Sequence, residues 1–289
     1  MRKGFVILNY NDSLTTISLL KILIKKKLDE IIVVVDNNST DNSYEELVEY
    51  NKINKFVLIR AERNGGYSYG NNLGLRYLVE EKKVDIAIIL NPDVLLDESA
   101  IKRVVEELEK DPHCGLVSPR MLDSNGLDTR MWLKLPNYYN SLLDCFFIGR
   151  QLNKYLRRTI IDMTQSRQKV DILPGSFLAF RGDVLKKIKY LDENVFLYYE
   201  ENIIGEKLKS IGLNTYLLTD CSYIHNHSVT IRKNLSILNA FKCNLRSKLY
   251  FEKEYHHIGK VQEFILKAMM KFAVLEMSAI LKIRSLLKI

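Results

Sequence analysis

Four times in the first 110 residues an apolar run stops at a polar cluster and gives way to helical periodicity. Gly4–Leu8 ends in Asn9-Tyr10-Asn11-Asp12, and the nearly continuous β-branched run Glu30–Val35 ends in Asp36-Asn37-Asn38-Ser39-Thr40-Asp41. Phe56–Ile59 leads to Arg63-Asn64-Gly65-Gly66, and Ile86–Leu90 closes on Asn91-Pro92-Asp93. Between the runs, periodicity predicts helices from Asp12 or Ser13 to about Lys27, over Ser43–Asn51, over Tyr67–Glu80 and over Glu98–Lys110. Such β-α alternation restricts the fold to an α/β domain with a mostly parallel central sheet flanked by helices. A run such as EIIVVV is the mark of a strand covered on both faces. In these sheets ligands bind outside the carboxyl ends of the strands, where all four polar clusters fall.

The second half is less regular. Gly115–Pro119 reads as a short strand, and Met121–Lys169 mixes aromatics, among them Trp132, Tyr138 and Phe147, with basic residues and no clean period. Irregular or hairpin structure beside the site is expected there. Ile172–Phe180 carries Pro174-Gly175-Ser176 before an apolar strand, Tyr199–Gly212 reads as an acidic turn and a helix, and Thr215–Leu218 as a strand leading to His225. The remainder is helical.

With 289 residues, 13 Gly and 5 Pro, the chain is long enough for a large core and unlike a disordered or collagen-like sequence. Its four cysteines form no CxxC pair, which argues against a zinc knuckle or a redox pair. The net charge of +8 is concentrated in the tail: Asn226–Ile289 holds 12 Lys/Arg and 4 Asp/Glu. The segment MRKGFVILNYND is too short for a signal peptide, and no stretch reaches the roughly 18 apolar residues of a membrane span. These features favour a cytoplasmic setting.

Several residues carry either chemistry or a simpler structural role. Tyr10 is suited to stacking on a planar base, or belongs to a helix-capping turn. Asp36 can accept hydrogen bonds from a base or ribose, or cap the following helix. The Arg63–Gly66 turn resembles an anion-binding loop but is neither GxGxxG nor a P-loop. Gly70, Asn71, Asn72 and Gly74 all cost helix propensity, which points to close packing or to amides aimed at a ligand. Asp93 offers a hard oxygen to a divalent cation, or is an ordinary turn residue. One of Glu200 and Glu201 can act as a general base, or both merely favour a helix N-terminus. His225 and His227 can join Asp93 at a cation or phosphate, or lie on the surface.

Seven segments in order resemble the inverting glycosyltransferases of family 2, with the GT-A fold, and within them the rhamnosyltransferase-like enzymes of bacterial surface polysaccharide synthesis. They are VILNYN at 6–11, VVVDNNSTD at 33–41, RNGGYSYGNNLG at 63–74, IILNPDV at 88–94, LPGSFLAFRGDVL at 173–185, LDENVFLYYEE at 191–201 and IHNHS at 224–228. The resemblance implies a donor pocket in which Tyr10, beside Asn9, and Asp36 meet the nucleotide base and ribose. It places Asn64, Gly65 and Gly66 along that pocket, with Asn71 and Asn72 in support and Gly175 on the donor side. Asn91-Pro92-Asp93 stands at the family's Asp-x-Asp position, Asn91 replacing the first acid and Asp93 binding Mn²⁺ or Mg²⁺. Glu200-Glu201 stands where relatives have Glu-Asp, so Glu201 is the expected base with Glu200 as the alternative, and His225 helps hold metal or diphosphate.

The implied reaction moves a sugar from a nucleotide-diphosphate donor, dTDP-rhamnose or a UDP-hexose, to a hydroxyl of a saccharide or lipid-linked saccharide. Residues 1–228 would form the transferase domain, with a nucleotide half to 119 and an acceptor and catalytic half beyond, followed by a basic helical extension over 229–289. In that extension Phe264, Ile265, Ala268, Phe272, Leu275, Ile280, Ile283 and Leu287 form a wide stripe among lysines. It suits an anionic membrane surface at the inner face of the cell membrane, packing on its own domain, or a homodimer. A nucleic-acid module would leave the NPD and YYEE clusters unused. A sugar nucleotidyltransferase would carry a Gly-rich basic loop after the first strand, which NYNDSLTT is not. A noncatalytic GT-A scaffold is the third alternative.

Overall fold

The computed structural model describes residues 1–25, 30–129, 134–225 and 236–287. Trp132 and His227 lie outside them. The alternation of the first half becomes β1 (Lys3–Asn9), α1 (Ser13–Lys25), β2 (Ile31–Asp36), α2 (Ser43–Asn51), β3 (Val57–Arg60), α3 (Gly66–Arg76), β4 (Ile86–Leu90), β5 (Val94–Leu96) and α4 (Glu98–Lys110). The order β3-β2-β1-β4 is parallel throughout. All five residues of β4 are buried, as are Phe5, Val6 and Ile7 of β1 and Val33, Val34 and Val35 of β2. Burial on both faces explains why these runs do not alternate.

Helix α3 answers the question posed by its glycines. A Cβ on Gly70 would stand 2.3 Å from Leu8, and one on Gly74 would stand 2.6 Å from Val6. The helix lies on β1 and β2 too closely for any side chain at those positions. After Arg76 it widens into a π turn over Tyr77–Glu81.

The second half departs from the mostly parallel expectation. It contains β6 (Cys114–Leu122), α5 (Tyr138–Leu143), α6 (Phe147–Leu156), β7 (Arg167–Val170), β8 (Phe177–Arg181), α7 (Gly182–Lys187), α8 (Glu200–Ser210) and β9 (Asn214–His225). β8 inserts antiparallel between β4 and β6, β6 runs parallel to β9, and β5 and β7 pair antiparallel with β9. The sheet is therefore mixed, because the regular crossover helices that enforce parallel pairing end with α4. The stretch expected to be irregular or a hairpin includes two short helices. Asn137 and Asn140 exchange side-chain-to-backbone bonds as a capping box that starts α5.

Two further helices, α9 (Ile237–Glu254) and α10 (Lys260–Leu287), form the C-terminal extension. α9 packs onto the segment leading into α8: Phe251 is buried with its ring 5.4 Å from Tyr199, and Tyr250 and Tyr255 both donate to Asp192 Oδ2. Lys248 is buried against Asp144 at 3.2 Å, while Ser141 Oγ donates to Glu252 Oε1 at 2.5 Å. α10 joins through Leu266 and Ala273, which cluster with Leu245 and Cys145. All four cysteines are free thiols. No helix among the described residues is long and apolar enough to cross a membrane.

Candidate active site

Strand register assembles the site. Asn9 and Asp36 are opposite each other at the carboxyl ends of β1 and β2. Asn9 Nδ2 donates to Asp36 Oδ2 at 2.9 Å, and Ser39 supplies its N–H and hydroxyl to the same carboxylate at 3.0 and 2.6 Å. Asp36 is fully buried, so its carboxylate fastens the two loops beneath the cleft instead of presenting an oxygen to it. Asn9 is equally buried, its Oδ1 accepting from Thr16 at 2.8 Å. Tyr10, the next residue, is half-buried at the same edge.

The turn from 64 to 66 closes this wall. Asn64 Oδ1 accepts from Asn37 Nδ2 at 3.0 Å and from Gly66 N–H at 3.1 Å. Gly66 has φ +87°, and a Cβ there would lie 2.0 Å from the Phe196 carbonyl, so only glycine fits. Gly65, the N-cap of α3, packs beside Tyr69. Asn71 is buried with Nδ2 on the Tyr67 carbonyl, and its Oδ1 has no hydrogen-bond partner. Asn72 serves the backbone instead, clamping Leu191 through both of its main-chain groups and reaching Glu193 Oε1 at 2.7 Å.

Because β8 runs antiparallel to β4 with Leu90 opposite Phe177, the turns at 91–93 and 174–176 meet. Asn91 N–H donates to the Ser176 carbonyl at 2.9 Å. Because β5 runs antiparallel to β9 with Val94 opposite His225, Asp93 meets the imidazole: Oδ1 and Nε2 are 3.0 Å apart. Two ligands of one octahedral cation with bonds of about 2.1 Å at right angles are about 3 Å apart. In this structure the two groups hydrogen-bond to each other directly; a carboxylate and an imidazole are also donor types that Mn²⁺ or Mg²⁺ would accept in place of that bond. No group of three metal-ligating side chains occurs among the described residues. The remaining positions would fall to diphosphate oxygens and water, the arrangement usual for cations that arrive with a phosphorylated substrate.

The acidic pair enters from the other side. Tyr198 and Tyr199 both have positive φ, 71° and 72°, a costly conformation for bulky residues. α9 braces that turn: Ser247 donates to the Leu197 carbonyl at 2.8 Å, and Phe251 packs on Tyr199. The turn starts α8 with Glu200 and Glu201 in its first turn. Gly175 N–H donates to Glu201 Oε1 at 3.2 Å, while Tyr67 OH donates to the Gly175 carbonyl at 2.6 Å. Glu200 is only 6% exposed, and its Oε1 has no hydrogen-bond partner. Burial raises both carboxyls above the ordinary glutamate range, and the charge of Glu201 raises Glu200 further. Tyr67 is held protonated by burial and by the same two acids.

Tyr223 bridges the two halves of the site. Its hydroxyl is 2.7 Å from Ser176 Oγ, and after burial and its serine bonds it is influenced by both Asp93 and Glu201. The Gly175-Ser176 turn therefore links the two groups: it carries Glu201 on the Gly175 N–H and meets the Asn91–Asp93 turn through the Ser176 carbonyl. Sequence reasoning misses Tyr67, Tyr223 and Asn37. Tyr67 directly follows the two glycines, which is the available signal; nothing local marks Tyr223.

Comparison with known proteins identifies the fold and the family. The chain is 27% identical over 197 residues to the low-salt glycan biosynthesis hexosyltransferase Agl10 of Haloferax volcanii, covering 68% of this chain and 59% of that protein. It is 24% identical over 213 residues to the poly-beta-1,6-N-acetyl-D-glucosamine synthase of Staphylococcus aureus, covering 71% and 47%. The chain thus spans roughly half the length of these curated relatives. Among solved structures, the mannosyltransferase PcManGT from Pyrobaculum calidifontis, in complex with GDP-Man and Mn²⁺, superposes with a TM-score of 0.59 at 16% identity, covering 98% of this chain and 75% of that one. S. aureus TarS 1–349 in complex with UDP-GlcNAc gives 0.56 at 15% identity, covering 94% and 72%. These two share the fold. Residues 5–189 match the sequence profile of Glycosyl transferase family 2, so the chain belongs to that family.

Proposed function

We propose that this chain transfers a glycosyl group from a nucleotide-diphosphate sugar to an acceptor hydroxyl, with inversion at the anomeric carbon and Glu201 as the base. The observation that carries the reading is the contact of Glu201 with Gly175 N–H, on the turn whose next residue, Ser176, meets the loop bearing Asp93 and its partner His225. Glu201 is the more accessible acid and has a donor for its charged form; Glu200 is the more buried and feels Glu201's charge. The Gly175 N–H thus favours the charged form of Glu201, while burial and the charge of Glu201 favour the protonated form of Glu200. Glu201 removes the acceptor hydroxyl's proton as that oxygen attacks C1 of the sugar, and the bond from C1 to the diphosphate breaks in the same displacement. A pKa above the ordinary carboxylate range makes it a stronger base near neutrality.

Asp93 and His225 would hold the divalent cation, which supplies charge stabilisation to the departing diphosphate. Tyr10 and the Asn64–Gly66 turn would line the nucleotide, with Asp36 and Asn9 fixing the loops below. Tyr67 and Tyr223 keep the Gly175-Ser176 turn in register with both ends of the site. The hexosyl activities named for relatives favour a UDP-hexose over dTDP-rhamnose as donor. The acceptor class is a saccharide or lipid-linked saccharide of surface polysaccharide synthesis.

The test is calorimetric titration with UDP, dTDP and GDP sugars, with and without Mn²⁺, followed by transfer assays. Glu201→Gln should retain donor binding and lose about 10²- to 10⁴-fold in kcat. Asp93→Ala should lose the Mn²⁺-dependent part of nucleotide binding. Absence of nucleotide binding in every condition, or a Glu201→Gln variant of undiminished kcat, would overturn the assignment.

A further inference from the structure

Helix α6 is folded inside out. The residues it turns toward the protein are small or polar: Asn153 is 1% exposed and Gly149 is buried, while Arg150 reaches Glu276 of α10 at 3.1 Å; Gln151 and Lys154 are exposed. Its large apolar side chains face outward, with Ile148 79% exposed, Tyr155 75%, Leu156 54% and Leu152 48%. An amphipathic helix normally buries the opposite face. α10 repeats the pattern beside it. It docks through Leu266 and Ala273 and leaves Phe264, Phe272, Leu275 and Ile283 exposed, Leu275 at 70%. The two helices are joined where α6 begins: Phe147 N–H donates to Glu276 Oε1, and the rings of Phe146 and Phe272 lie 5.9 Å apart. Two neighbouring helices thus each leave several large apolar side chains exposed, more than the singly scattered ones usual on a protein surface.

Charge identifies what covers it. α6 and α10 together carry seven Lys/Arg against two Glu. Both glutamates are engaged, Glu263 by Lys253 and Lys267 and Glu276 by Arg150. A second copy of the chain would bring the same positive excess to the contact. An anionic lipid surface supplies both the apolar layer and the opposite charge. Neither helix is apolar enough to span a bilayer, so both would lie in the interface plane.

We infer that α6 and α10 form a docking face for an anionic membrane surface, with α6 linking that face to the acidic pair. The link is direct. Arg157, the C-cap of α6, donates to Asn202 at 3.3 Å, one residue beyond Glu201. Ten residues of helix span about 15 Å, so lipid headgroups under α6 stand within a few sugar units of the base. Only this consequence, a membrane-borne acceptor brought to Glu201, rests on the transferase reading; the docking face stands on its own geometry.

The test is vesicle flotation of the full chain with phosphatidylcholine alone and with phosphatidylcholine mixed with phosphatidylglycerol. The chain should float with the mixed vesicles and not with the neutral ones. The double variant Ile148→Glu/Leu275→Glu changes only exposed positions and should lower binding at least tenfold. Lys154→Glu and Lys271→Glu should each weaken it on the order of fivefold or more. Sedimentation equilibrium of the same proteins covers the rival occupant. Equal or absent binding to both vesicle types, or a dimer that Ile148→Glu/Leu275→Glu dissociates, would overturn the inference. Nucleotide binding, measured on every variant, reads the transferase assignment separately: its loss in the unaltered chain with flotation intact would remove the reaction and leave the face.

Discussion

Gly175→Ala is the sharpest probe of the geometry around the proposed base. A methyl group at this position would stand 2.9 Å from Glu201 Oε1, against about 3.4 Å for an ordinary contact, and 3.4 Å from the Tyr67 hydroxyl. The tyrosine can remain; the carboxylate must retreat by about 0.5 Å. A misplacement of about 1 Å at a reacting group costs on the order of 10²-fold, so half that distance predicts about a tenfold fall in kcat. The retreat also weakens the Gly175 N–H bond, which favours the ionised form of Glu201. The pKa of the base therefore rises, and the acidic limb of the pH–rate profile moves to higher pH. Donor KM should stay within about twofold, since the proposed cation ligands Asp93 and His225 lie just before β5 and at the end of β9. Steady-state kinetics from pH 5 to 9, with thermal melting as a check on folding, measures all three quantities. A folded variant with unchanged kcat and an unmoved acidic limb would refute the argument that Glu201 acts from this position.

Ser247→Ala should lower kcat several-fold with donor KM nearly constant, because the Leu197 carbonyl loses its brace and the strained Tyr198-Tyr199 turn relaxes; a lost buried hydrogen bond is worth about 1–3 kcal/mol. Recovery of kcat in Ser247→Thr would separate this from general destabilisation. Glu200 has a folded-state pKa above its unfolded value, so its stabilising contribution is complete at low pH and is lost as pH rises through the raised pKa. Glu200→Gln should flatten the decline in melting temperature on the alkaline side of the ordinary carboxylate range, and parallel curves for parent and variant would contradict it. Gly66→Ala should cost at least about 2 kcal/mol in chemical denaturation, from positive φ and the clash with the Phe196 carbonyl.

The nucleotide edge of the fold is legible because each buried strand ends in its own polar cluster. The boundaries of α2, β4 and α4 follow directly from periodicity. What local pattern cannot carry is pairing over long separations. Asp93 and His225 are 132 residues apart and meet only through the antiparallel register of β5 and β9. Asp36 suits ligand or loop equally well in the sequence, and its full burial on Asn9 and Ser39 is decided by the β1–β2 register. The glycines of α3 announce a cost, while the surface they approach, Val6 and Leu8, lies some sixty residues earlier. Periodicity reveals the apolar stripe of α10 but not its covered side, which requires the position of Cys145 and Leu245.

The insertion of β8 between β4 and β6 also sets a timetable. β4 is fully apolar, yet one of its two edges is paired only when Phe177–Arg181 has emerged, 87 residues after Leu90. At translation rates of about 5–20 residues per second, that edge stands open for about 4–17 s on every nascent chain. An unpaired apolar strand on that timescale is a template for association between ribosome-bound chains. Yield of this protein should therefore respond to the speed of elongation between residues 91 and 176 more than to the stability of its finished fold.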